Sequence, residues 1–147
     1  MSNAEHLADF IFTEIKRRID QSSKTAYLRH CAEYAAGRFL EELATQTRQV
    51  NNALGCDEPM RFQLSASGHK LSFEKHWMRF RRPDLRQFEI LYSNGTVTYW
   101  RLDTTEDNSE IYWARTDADG RHINGSLLST RELVFQSIKQ LVSIGLD

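Results

Sequence analysis

The hydrophobic positions in the first third of the chain recur at the spacing of an α-helix. Ser2 and Glu5 form a capping-box pattern ahead of the first set, which is Leu7, Phe10, Ile11, Ile15 and Ile19. A second set follows, comprising Leu28, Cys31, Ala32, Ala35, Phe39, Leu43 and Ala44. Ser22 and Ser23 interrupt the pattern between the two sets, and Gly55 follows the second. The pattern therefore predicts two antiparallel helices, a helical hairpin over about residues 3–55.

From about residue 60 the hydrophobic residues begin to recur at every second position, which is typical of β-strands. Asn94 and Gly95 separate two alternating segments, and this dipeptide favours a β-hairpin with a two-residue turn. That turn would pair Ile90 with Tyr99. The predicted core face of the hairpin is then Phe88, Ile90, Tyr92, Val97 and Tyr99.

A second capping-box pattern, Ser129 with Glu132, predicts a C-terminal helix over about 130–145. Strands that follow one another without intervening helices indicate an antiparallel sheet, so the fold class is α+β. We expect two N-terminal antiparallel helices, then a curved antiparallel sheet of four or five strands over about 60–125, then a C-terminal helix packed on the sheet. The length of 147 residues predicts one domain spanning 1–147.

The segment HWMRFRR, residues 76–82, interrupts the strand alternation. Leu71 and Phe73 fall on one parity and Met78 and Phe80 on the other, although side chains in a strand alternate strictly between faces. A β-bulge near residues 74–76 would bring all four to the core and leave Trp77, with the arginines, facing outward. The alternative places Trp77 in the core and Met78 with Phe80 on a second covered face.

An outward row of tryptophan and arginine is typical of binding hot spots. The candidate partner-binding residues are Lys75, Trp77, Arg79, Arg81 and Arg82. The leading interpretation is a non-catalytic interaction protein of the inhibitor or adaptor type with a protein partner, a second copy of the chain included. Tryptophan with arginine also suits single-stranded nucleic acid, which is the alternative partner. The interpretation without a binding function is that these arginines are solvated or form ion pairs across the sheet.

Charge weighs against a dedicated nucleic-acid protein, because the net charge is only −1. Acidic residues concentrate after the predicted hairpin and form a second candidate surface, consisting of Asp103, Glu106, Asp107 and Glu110. They could screen the arginines within the molecule or contact the basic surface of a second copy. The sequence gives no reason to expect a membrane partner.

The sequence contains no nucleotide-binding, zinc-protease or serine-hydrolase motif, so we assign no catalytic residue, metal ligand or cofactor. An enzyme or ligand carrier is the second alternative to protein binding. Its pocket would lie between the sheet and the helices, lined by Tyr92, Tyr99, Trp113 and His122.

The chain has two cysteines, Cys31 and Cys56, and neither belongs to a C-x-x-C pair. Free thiols in a reducing compartment are the favoured interpretation. The first residues lack the basic-then-apolar layout of a signal peptide. We therefore expect a cytoplasmic protein.

Overall fold

The computed structural model describes residues 2–55, 62–84, 87–104, 111–123 and 127–146. The fold is of the α+β class, with a curved antiparallel sheet and a C-terminal helix packed on it, as predicted. The elements are α1 (Asn3–Leu54), β1 (Phe62–Leu64), β2 (Lys70–Phe73), β3 (His76–Arg81), β4 (Gln87–Tyr92), β5 (Val97–Thr104), β6 (Ile111–Thr116) and α2 (Thr130–Leu146).

Both predicted N-terminal segments are helical, but they form one continuous helix, α1, and not a hairpin. The predicted break at Ser22 and Ser23 does not occur. Serine lowers helix propensity by only about 0.5 kcal/mol relative to alanine, and neither proline nor glycine lies near it to end the helix. The capping box of Ser2 and Glu5 is present, and Gly55 caps the other end with a φ of 77°.

The six strands form a meander in the order β1-β2-β3-β4-β5-β6, with every neighbouring pair antiparallel. The sheet has more strands than expected because residues 70–81 form two of them. A tight turn at Glu74 and Lys75 joins β2 to β3, and Glu74 takes a left-handed φ of 55°. This turn, and not a bulge within one strand, resets the alternation.

The reset buries Leu71, Phe73, Met78 and Phe80 on one face of the sheet, which confirms the predicted inward set. We call this the inner face, and both helices pack against it. Trp77, Arg79 and Arg81 consequently lie on the opposite side, the outer face. The alternative interpretation, with Trp77 in the core, is wrong.

The register of the β4–β5 hairpin differs by one residue from the predicted register. Glu89 pairs with Tyr99 and Leu91 with Val97, because the turn has three residues, 93–95, and not two. The Tyr92 N–H donates to the Thr96 carbonyl at 2.8 Å, and Gly95 takes a φ of 91°. Three-residue turns ending in a left-handed glycine are the next most common hairpin type. The shift moves Val97 and Tyr99 from the predicted core face to the outer face.

Aromatic rings join the second half of α1 to the sheet. The Phe39 ring stacks on Phe80 with centroids 4.3 Å apart and meets the edge of Trp113 at 6.3 Å. Trp113 also lies 4.7 Å from Phe88, and its indole N–H donates to the Thr130 hydroxyl at 2.9 Å. The core therefore lies between the inner face, residues 32–43 of α1, and α2.

Candidate functional site

The outer face presents half-buried apolar side chains to solvent across three neighbouring strands. Trp77 lies on β3, Leu91 on β4, and Val97 and Tyr99 on β5. In the part of the chain that the structure describes, the sheet contacts of both helices are made from the inner side. The outer face is therefore open at its centre and combines apolar area with the adjacent cations.

The Trp77 ring contacts two cations, Lys70 and Arg79, and we call these three residues the Trp77 cluster. Lys70 and Arg79 are directly opposite each other on β2 and β3. The Lys70 Nζ lies 5.1 Å from the centre of the Trp77 ring, and the Arg79 guanidinium carbon lies 5.7 Å from it. Such contacts contribute about 0.5–1 kcal/mol each at exposed sites. They orient the ring and both cations without withdrawing the cluster from solvent.

The backbone beneath the cluster is fixed by the neighbouring turn. The Trp77 N–H donates to the Ser93 hydroxyl at 3.2 Å, and the Ser93 N–H donates to the Trp77 carbonyl at 2.9 Å. A rigid backbone lowers the entropy cost when a side chain of the cluster is immobilised by a partner.

The other candidate cations lie at the edge of the cluster. Arg81 pairs with Glu89 on β4, with a nitrogen–oxygen distance of 2.8 Å. Its side chain is 48% exposed, so this ion pair contributes less than about 1 kcal/mol to stability. Arg82 and Lys75 are both exposed, Arg82 after the end of β3 and Lys75 in the β2–β3 turn. The structure thus places the five predicted residues on one strand and its ends, with Trp77 and Arg79 in direct contact.

The open part of the outer face ends at β6. Ala114 and Thr116 face outward there but are buried. The Gln87 side-chain amide donates to the Ala118 carbonyl at 3.4 Å, which indicates that the turn after β6 crosses this part of the sheet. Because Gln87 is on β4, the turn also covers the neighbouring part of β5, and the open part of the face is centred on Trp77, Leu91 and Val97.

The predicted acidic surface is described only in part. The backbone of Asp103 lies on β5 and pairs with Tyr112 of β6. Val97 is level with Arg79 across the sheet, and Asp103 follows Val97 by six residues on β5. A strand rises about 3.3 Å per residue, so the backbone of Asp103 lies about 20 Å from the cluster. Glu106, Asp107 and Glu110 lie outside the described residues.

The four predicted pocket residues are not brought together. Tyr92 and Trp113 are buried in the core, Tyr99 lies on the outer face, and His122 is exposed. Burial raises the pKa of Tyr92 to about 12, partly offset by a hydrogen bond with the Ser137 side chain. The Tyr92 hydroxyl also donates to the Ser137 carbonyl at 3.5 Å. These four residues therefore do not line one pocket, because Tyr92 and Trp113 fill the core and the one-residue register shift places Tyr99 on the opposite face.

An apolar groove that the sequence did not reveal lies between α1 and α2. Its volume is about 370 Å³, and its lining includes Val50, Leu54, Phe62, Phe135 and Val142. Phe135 is 58% exposed on α2 although the helical pattern alone would allow it to be buried. Sequence periodicity predicts which residues share a helix face but not the gap between two helices.

Val97 and Tyr99 were missed as outer-face residues. Trp100 and Leu102 could have revealed the error, because they lie on the strand face opposite to Val97 and are large apolar residues. These two point inward, and Trp100 is buried. A comparison of the two registers by apolar volume would have favoured the observed one.

The described residues contain no group of three or more histidine, cysteine or acidic side chains placed to hold a metal ion. No helix within them has the length and hydropathy needed to cross a bilayer. Cys31 is a free, partly buried thiol, while Cys56 lies outside the described part of the chain.

Comparisons of the chain with protein-family models, with curated proteins and with solved structures gave no match. The function must therefore be argued from the surfaces described above.

Proposed function

We propose that this protein is a non-catalytic, cytosolic interaction module that binds a protein partner through the outer face of its sheet. The carrying observation is the Trp77 cluster, in which a partly exposed tryptophan contacts two cations on an open face. Tryptophan and arginine dominate binding hot spots because each offers a large contact area together with a polar group. The four apolar residues of the outer face would supply the desolvated centre of the interface.

The chemistry of the face favours an acidic protein surface that carries an apolar side chain. Lys70 and Arg79 flank the ring and provide donors for carboxylates. Leu91 and Val97 lie level with Arg79 on the next two strands and can contact an apolar group directly. An inhibitor or adaptor with this face would recognise a partner by a mixed acidic and apolar patch.

Single-stranded nucleic acid is less well supported by the same geometry. Base stacking requires an open aromatic face, and the Trp77 ring already contacts two cations. Arg81 is neutralised by Glu89, which lowers the attraction for phosphate. These contacts favour a protein partner over a nucleic acid.

The test is affinity capture with the double variant Trp77→Ala with Arg79→Glu. We expect the variant to remain folded, because both side chains lie on the outer face. The amount of partner that it captures should fall at least tenfold. The matched control is Tyr34→Ala with Arg38→Glu, which removes another aromatic–arginine pair from an exposed position on α1. Circular dichroism and thermal unfolding of both variants check the fold.

Three outcomes separate the alternatives. Loss of capture in the outer-face variant alone supports the proposal, whereas equal capture by both variants overturns it. Collapse of the fold in the outer-face variant would mean that Trp77 is a structural residue. Fluorescence anisotropy with labelled single-stranded DNA and RNA tests the nucleic-acid alternative, for which binding should weaken steeply as salt rises.

A further inference from the structure

The first part of α1 extends from the rest of the molecule as an exposed helical arm, which we define as residues 3–23. At 1.5 Å per residue the arm is roughly 30 Å long. Its hydrogen bonds are local, as in the pairs formed by Glu14 with Arg17 and Arg18. The Arg17 guanidinium beside Glu14 lowers the pKa of that carboxyl. Most of the stability of a helix in a protein comes from the packing of its apolar face, so an arm without a partner is poorly supported.

An apolar stripe follows the arm without being covered. Leu7, Ile11, Ile15 and Ile19 recur at every fourth position, and Phe10 and Phe12 extend the stripe on either side. These six side chains are between 46% and 74% exposed. The same four-residue spacing continues in the buried half of the helix at Ala35, Phe39, Leu43 and Thr47, where it packs on the sheet. The arm therefore has the pattern of a packing surface.

Charge is segregated along the arm. Residues 3–14 contain three carboxylates, Glu5, Asp9 and Glu14, and no lysine or arginine. Residues 15–23 contain Lys16, Arg17, Arg18 and the single carboxylate Asp20. Two identical arms placed antiparallel would set the acidic half of each beside the basic half of the other. Their helix dipoles would also be opposed, whereas a parallel pair would juxtapose like charges and like dipole ends.

We propose that the arm binds the arm of a second copy of this chain, forming an antiparallel, two-fold symmetric dimer. A symmetry axis near Thr13 sets Leu7 level with Ile19 of the second copy and Ile11 level with Ile15. The stripe is then paired with itself over its whole length. This interface shares no residue with the outer face and does not depend on the proposed function.

The available area is sufficient for such a dimer. Burial of six large apolar side chains with these exposures would remove roughly 500 Å² from each copy, which reaches the approximate minimum of 1,000 Å² for a specific interface. A membrane surface is the rival occupant of an amphipathic helix. It is disfavoured because membrane-surface helices are basic along their polar face, and the first half of this arm is acidic.

The first experiment is sedimentation velocity of the full chain from low to high micromolar concentration. We expect a concentration-dependent dimer that weakens as salt rises, with Ile15→Glu monomeric throughout. The matched control is Thr13→Glu, which adds the same charge to the opposite side of the helix and should raise the dissociation constant less than threefold. A monomer at every concentration, or a dimer unaffected by Ile15→Glu, overturns the proposal.

A second pair of variants guards against a simple loss of helix. Asp9→Lys with Glu14→Lys makes the arm basic, and Arg17→Glu with Arg18→Glu makes it acidic. Each should be monomeric alone, and an equimolar mixture should form heterodimers. Failure of the mixture to associate contradicts the charge pairing. Sedimentation of wild-type protein with vesicles of phosphatidylcholine and phosphatidylserine tests the rival, and binding to them by a protein that stays monomeric in solution overturns the dimer.

Discussion

At the scale of single residues, the turn at Glu74 and Lys75 decides which side chains of β3 lie on the outer face. The parity change between Phe73 and Met78 allowed two interpretations, and the structure confirms the one in which four apolar residues share the core face and Trp77 faces outward. The turn at Asn94 and Gly95 was predicted, but not its length. The dipeptide suits two turn geometries that differ by one residue, and the burial of Trp100 beside Phe88 in the core accompanies the observed one.

Tyr92 should lower the free energy of unfolding at alkaline pH. Its pKa is raised to about 12 in the folded protein, above the ordinary value of 10.0, because burial disfavours the phenolate. The unfolded chain therefore releases this proton first as the pH rises. The free energy of unfolding is therefore unaffected by this group below about pH 10. It falls progressively between about pH 10 and about pH 12, by at most about 3 kcal/mol.

Tyr92→Phe should remove this part of the alkaline destabilisation. Near neutral pH it should cost less than about 1 kcal/mol, because the lost hydrogen bond to the Ser137 carbonyl is long, at 3.5 Å. Urea unfolding at about pH 8 and about pH 11 measures the difference. Tyr34→Phe is the control, since Tyr34 is 57% exposed, and it should keep the wild-type pH dependence. An alkaline loss in Tyr92→Phe equal to that of the wild type would contradict the assignment.

At the scale of elements, the kind of each element was predictable but the boundaries of α1 were not. Helical spacing identified both halves of α1 and all of α2, since amphipathic patterns are local. The supposed break at Ser22 and Ser23 failed because a weak helix former does not end a helix that is favoured on both sides. Gly145 is the converse case, a poor helix former whose place is set by tertiary contact.

Gly145→Ala should destabilise the protein although alanine favours the helix. A Cβ at Gly145 would lie 2.6 Å from Cδ1 of Phe73 and 2.9 Å from Cε1. Phe73 is buried and stacks on Phe62 at 4.9 Å, so its ring has little room to withdraw. Overpacking of this kind costs about 1–3 kcal/mol, which exceeds the gain of about 1 kcal/mol in helix propensity.

The free energy of unfolding, measured in urea, checks this balance. Gly37→Ala is the matched control, because a Cβ at Gly37 would have no atom within 4 Å. That variant should gain up to about 1 kcal/mol. Stabilisation of both variants to the same extent would show that α2 does not approach β2 as closely as the structure indicates.

At the scale of the whole molecule, the sequence predicted the α+β class, and one of its two interpretations placed Trp77 and Arg79 on the outer face, but it did not predict the arm. An apolar stripe has the same sequence whether it is buried within its own chain or against another copy. The predicted hairpin would have buried the stripe within the chain. The continuous helix leaves it exposed while the core is completed by residues 32–43. The contacts of the stripe therefore cannot be read from its spacing alone.

Deletion of residues 1–23 distinguishes these two arrangements. Because the arm residues are exposed, we expect the deletion to change the free energy of unfolding by less than about 1 kcal/mol at a concentration where the chain is monomeric. Far-ultraviolet circular dichroism should lose the signal of the removed helix. Phe39→Ala is the contrasting control, because this buried ring carries the contact of α1 with Phe80 and Trp113 and its removal should cost about 3–5 kcal/mol. If the deletion lost several kcal/mol as well, the arm would fold back onto the molecule in solution, and the stripe would no longer be available to a second copy.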